Sequence, residues 1–123
     1  MIKGVLIDKP CHKNRVYING KQISWKKSTQ YLLISKTGFN WGYGGAGPQQ
    51  LAFAILLELT NEKIARSLCF EFTQEFVAKL PSDRNFSVSE EKVMKIIQRC
   101  TKNARTPYYI PYEEKMRLKF KTN

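Results

Sequence analysis

The sequence predicts an α+β fold: a small N-terminal antiparallel sheet packed on a three-helix core, with a basic C-terminal arm or edge strand. Three observations lead there. Asn19-Gly20 stands between two short β-branched runs, the pattern of a two-residue hairpin turn. Residues 48–59 are apolar at almost every position yet too few to cross a bilayer, which makes them a buried helix. Two amphipathic stretches with apolar residues at helical spacing follow. A chain of 123 residues with 42% hydrophobic content supports one modest core, so residues 1–123 are read as a single domain.

Taken in order, residues 1–36 supply strands and a hairpin. Residues 1–8 (MIKGVLID) form a first strand ended by Lys9-Pro10. In the hairpin, Val16, Ile18 and Ile23 face the core while Tyr17, Lys21 and Gln22 face water. Tyr31-Leu32-Leu33-Ile34 is too short for periodicity to separate strand from helix, and is assigned to a strand joining the sheet.

Residues 37–50 form a loop and residues 48–102 three helices. The second helix begins at the capping oxygens of Thr60-Asn61 and runs to Leu80, with Ile64, Leu68, Phe72, Phe76 and Leu80 at spacing four; Pro81 ends it. Ser87-Val88-Ser89-Glu90 reads as a capping box for the third, whose stripe is Val93, Ile96, Ile97 and Cys100 and whose other face carries Lys92, Lys95, Arg99 and Lys102. In residues 103–123, two prolines exclude a regular helix around Tyr108, Tyr109 and Tyr112. Basic residues then alternate with Met116, Leu118 and Phe120, a strand-like period.

Five of the seven glycines lie within residues 37–51, interleaved with Phe39, Trp41 and Tyr43 and followed by Pro48, a residue suited to a first helical turn. Two readings stay open. The glycines let the aromatics tuck under a tight turn that locks sheet to helix, or Gly44, Gly45 and Gly47 form an anion nest at a helix N-terminus. Neither a Gly-Lys-Ser/Thr phosphate loop nor a dinucleotide fingerprint in a βαβ unit is present.

Gly38-Phe39-Asn40-Trp41-Gly42-Tyr43-Gly44-Gly45-Ala46-Gly47-Pro48-Gln49-Gln50-Leu51-Ala52 closely resembles the signature of an uncharacterised family of small bacterial, plasmid and phage proteins, a domain of unknown function. The likeness covers residues 16–98. Ile34-Ser35-Lys36 stands where the family pattern has His-Ser-Pro, and Ala46 where members often carry Ser. The resemblance implies membership and a mobile-element setting, and brings no assigned reaction.

Catalytic chemistry has little material. His12 is the only histidine; Cys11, Cys69 and Cys100 are odd in number and scattered, giving neither a disulfide framework nor a metal module. No enzyme activity, cofactor or metal is expected. Charge is more informative. The net charge is +11, with eight basic residues against Asp8 in residues 1–36, four against seven acidic in 37–91, and nine against two in 92–123. If both basic ends share a face, they form a positive field that gathers polyanions.

The expected function is a non-enzymatic basic binding protein of phage or mobile-element origin, engaging nucleic acid or a nucleoprotein complex. Lys26, Lys27, Arg99, Lys102, Arg105, Lys115, Arg117, Lys119 and Lys121 contact phosphates, with Tyr108, Tyr109 and Tyr112 available to stack. An alternative is a phage-encoded inhibitor, anti-CRISPR-like, that binds a host defence protein; a third is a small anionic-ligand domain using the glycine loop. No membrane partner is expected, and a cytoplasmic location in a bacterial host is.

Overall fold

A computed structural model describes residues 1–7 and 14–103, the side chain of Asn103 excepted. The strand-ending Lys9-Pro10, Cys11, His12 and the tyrosine-rich basic segment from residue 104 lie outside the described residues. The elements run β1 (Ile2–Val5), β2 (Arg15–Ile18), β3 (Lys21–Gln22), α1 (Trp25–Tyr31), α2 (Ala46–Leu59), α3 (Glu62–Glu75), a 3-10 turn at Val77–Lys79, β4 (Phe86–Val88) and α4 (Glu90–Asn103). This is an α+β fold with a four-stranded antiparallel sheet in the order β3-β2-β1-β4.

The hairpin forms as its turn residues dictate. Asn19 (φ 51°) and Gly20 (φ 84°) both take the left-handed conformation of a type I′ turn, and Ile18 pairs with Lys21. Val16 and Ile23 are buried and Ile18 packs against the core, while Lys21 and Gln22 are exposed. At the centre of the sheet Gly4 pairs with Phe86, whose ring covers it so closely that a Cβ there would lie 2.1 Å from a ring carbon.

α2 is the centre of the core, with every side chain from Leu51 to Leu56 buried. A two-residue connection, Thr60-Asn61, turns it into α3, and the Asn61 Oδ1 accepts the Ile64 N–H (2.9 Å) as an N-cap. A chain of aromatic rings joins helices to sheet: Phe72 to Phe76 (centroids 5.3 Å), Phe76 to Phe86 (6.4 Å), and Phe86 edge-on to Trp41 (4.9 Å).

Four local expectations are corrected. Tyr31-Leu32-Leu33-Ile34 is not a strand: Tyr31 closes the helix α1, and residues 32–34 are irregular. Ser24 caps α1 through Lys27 N–H, the Leu32 N–H closes its last turn on the Ser28 carbonyl (3.0 Å), and the N–H groups of Ile34 (2.7 Å) and Ser35 (2.9 Å) donate to Gln50 Oε1 rather than to a neighbouring strand. The core accordingly has four helices, not three.

The third correction concerns the end of α3, which stops at Glu75 rather than Leu80. Continued helix would leave the Val77 carbonyl facing Pro81, which has no N–H to give; instead it accepts from Leu80 (3.3 Å) and Gly42 (3.0 Å). Last, Ser87 is not a cap. It lies in β4, a strand missing from the sequence reading, and Ser89 Oγ accepts the Lys92 N–H (3.1 Å) at the start of α4.

Candidate nucleic-acid interface

The first half of the glycine-rich stretch packs inward, but of the three aromatics expected to tuck under the turn Tyr43 does not: it is 47% exposed. Phe39 and Trp41 are buried, and Trp41 Nε1 donates to the Arg84 carbonyl (3.1 Å). Gly42 has φ 91° and lies so close to Ser82 that a Cβ would sit 2.4 Å from the serine Cβ, so both backbone angle and space require glycine. Asn14 ties the loop to the sheet by accepting the Ile7 N–H (2.8 Å) and donating to the Phe39 carbonyl (3.0 Å).

Of the three nest glycines, Gly45 is the N-cap of α2, Gly47 is buried against Asn40, and the Gly44 carbonyl accepts from Gln49 Nε2 (3.0 Å). No Lys or Arg occurs in residues 37–51 to hold a ligand's charge there.

Charge gathers on the other side of α3. The break at Phe76 folds the chain back so that Lys79 comes up to α4, and between them lies an open groove of about 440 Å³. Its rim carries Lys79, Lys92, Lys95 and Arg99; its floor is Phe76, Leu80, Val88 and Ile96. The one carboxylate in its wall is Glu75, whose Oε2 stands 3.3 Å from Arg99 Nη2 and 3.7 Å from Lys79 Nζ. Lys95 also pairs with Glu91 one helical turn away (3.5 Å). These side chains are largely exposed, and ion pairs in that setting contribute about 0–1 kcal/mol each, so they yield readily to a competing anion.

Among the expected contact residues that are described, Arg99 borders this groove and Lys102 follows it along α4, exposed. Lys26 and Lys27 lie elsewhere. Lys27 Nζ pairs with Glu58 Oε1 (3.2 Å) near the α2–α3 turn, whereas Glu75 ends α3, about 20 Å away at 1.5 Å per residue. The two described clusters therefore occupy opposite ends of the helical hairpin. Arg105, Tyr108, Tyr109, Tyr112, Lys115, Arg117, Lys119 and Lys121 lie outside the described residues.

Sequence reasoning put Lys92 and Lys95 on the right helix face but left them out of the contact set, and missed Lys79. The 3, 4, 3 spacing of Lys92, Lys95, Arg99 and Lys102 was a usable signal. Nothing local pointed to Lys79, which arrives from another element.

The two described thiols offer no nucleophile. Burial pushes Cys69 up to about 11, against weaker lowering by a hydrogen bond with Thr73; burial, reinforced by Glu75 and Glu71, raises Cys100 to about 11. Among the described residues no group of three or more His, Cys, Asp or Glu could hold a metal ion, and no helix is long and apolar enough to cross a membrane.

Fold and site together define a small α+β domain with a cation-rimmed groove on one side of its helical layer. The chain belongs to a family of unknown function (DUF6166), whose model matches residues 8–99. Neither a curated protein nor a solved structure matches it.

Proposed function

We propose that this protein binds nucleic acid without catalysing a reaction, through the α4 side of the domain. The observation that carries the reading is the convergence of Lys79, Lys92, Lys95 and Arg99 on one groove that holds a single carboxylate. Lys102 extends the row, and the sequence continues from residue 104 with five basic residues against two acidic ones. Such an excess lowers the free energy of a phosphate backbone by releasing its condensed counterions. The resemblance to plasmid and phage proteins supports a bacterial cytoplasmic setting for this binding.

The test is a salt titration of the full chain against a fluorescent oligonucleotide. About five neutralised phosphates predict a loss in affinity between 50 and 200 mM salt of roughly 500-fold for a duplex and roughly 100-fold for a single strand, and Lys92→Glu combined with Arg99→Glu should abolish binding. Binding indifferent to salt and to this double reversal would refute the reading.

A further inference from the structure

The chemistry of the groove specifies more than a positive field, and, resting on the nucleic-acid reading above, we infer that it takes a nucleotide of a single strand, phosphate at the rim and base on the floor. A surface meant only for a duplex backbone needs cations and no apolar floor. Here Leu80 and Val88 are half-buried between cations, apolar surface left in contact with water unless a ligand covers it. A duplex keeps its bases stacked inside; a single strand presents them, and proteins that bind single strands combine backbone cations with side chains that cover a base face, usually aromatic ones. Here the floor's one ring, Phe76, is buried, and the aliphatic Leu80 and Val88 take that place. The volume of about 440 Å³ lies within the roughly 300–1,000 Å³ of sites that hold small ligands, enough for about one nucleotide.

Glu75 marks where the phosphate goes. Its single atom Oε2 meets both Arg99 Nη2 (3.3 Å) and Lys79 Nζ (3.7 Å), the arrangement one phosphate oxygen would have between the same two cations. The carboxylate is thus a placeholder that an incoming phosphate displaces. Removing its charge releases two cations at once, whereas removing the charge of Glu91 releases only Lys95.

The experiment compares three probes of equal phosphate number on the full chain at one salt concentration: a 15-mer of thymidine, the same length with abasic sites, and a G·C-rich 8-base-pair duplex, whose two strands together carry the same number of phosphodiesters. The expected result is at least ten-fold tighter binding of the thymidine strand than of either other probe. Glu75→Gln should tighten it at least three-fold more than Glu91→Gln, although both add one unit of charge. Leu80→Asn should weaken the thymidine strand five-fold or more and leave the duplex unchanged. Equal binding of all three probes, or equal effects of the two Glu→Gln changes, overturns the inference and leaves nucleic-acid binding standing. Failure of every probe to bind at 50 mM salt overturns both. Because Glu75 and Glu91 are surface groups, their comparison holds even if Leu80→Asn unfolds the domain.

Discussion

The glycine loop with α2 and the α3–α4 groove are opposites in how they treat polar groups. On the loop side, buried polar groups bond one another: Gln50 is fully buried and makes four hydrogen bonds, and Trp41, Asn14 and Gly42 each close a contact with a distant segment. On the groove side, four cations line a wall with one carboxylate, Glu75, which pairs with Lys79 and Arg99 only, and they remain exposed to water. The densest motif in the sequence thus closes contacts between elements, while the cation-rimmed groove joins a row of basic residues along α4 to Lys79, which has no local signature. A site needs groups whose bonding is unfinished, and the loop has finished most of its own.

Gln50 is where that contrast breaks hardest. Its Oε1 accepts from Ile34 and Ser35, and its Nε2 donates to Ser28 Oγ (2.9 Å) and the Leu32 carbonyl (3.0 Å). Gln50→Leu keeps the volume and orphans those partners, an expected loss of about 2–4 kcal/mol in urea unfolding. Oligonucleotide affinity of the remaining folded protein should be unchanged. A loss below about 1 kcal/mol would mean that residues 32–35 find other partners, and that the loop side is less tightly determined than the groove.

The same side chain explains what the sequence could and could not convey. Residues 51–56, the α3 face of Ile64, Leu68 and Phe72, and the α4 stripe were legible because burial follows a local period. Asn19-Gly20 was legible because its turn needs only two residues. The segment after Tyr31 was not, since its conformation is decided by an amide reached across 15 or more positions. β4 was equally hidden: three residues acquire strand character only by pairing with β1, Phe86 with Gly4. The groove failed in the same way, half of it written along α4 and half delivered by a chain reversal that follows from Gly42 and Pro81 together.

A pH series probes both regions with one chemical group in each. Cys69 Sγ donates to the Gln49 carbonyl (3.3 Å) on the α2 side; Cys100, on α4, feels the charges of Glu75 and Arg99, two residues that line the groove. Both thiols titrate near 11 when folded, against 9.0 ordinarily. Below pH 9 they are protonated in both states and their contribution is complete. As pH rises from 9 towards 11 the unfolded chain ionises first, binds fewer protons than the folded one, and stability falls. For Cys69 the loss approaches about 2–3 kcal/mol at pH 11, by roughly 1.4 kcal/mol for each unit. Urea unfolding at pH 8, 9 and 10 should decline less steeply for Cys69→Ala than for the parent chain. Parallel slopes would mean that Cys69 is solvated.

The smallest stability effect is the one that separates the two regions most cleanly. Lys95 is mostly exposed, and its described ion pair, with Glu91, is an exposed contact one helical turn apart. Lys95→Gln should therefore cost no more than about 0.5 kcal/mol in urea unfolding, the scale of a single helix-surface pair. In binding, the same change removes one of four rim cations, so oligonucleotide affinity should drop several-fold and the slope of log affinity against log salt should fall by about one. Gln50→Leu and Lys95→Gln are thus expected to give opposite pairs of results, stability without binding and binding without stability. If Lys95→Gln leaves the salt slope untouched, phosphate contact does not pass through this rim, and the positive field of the chain must act from elsewhere.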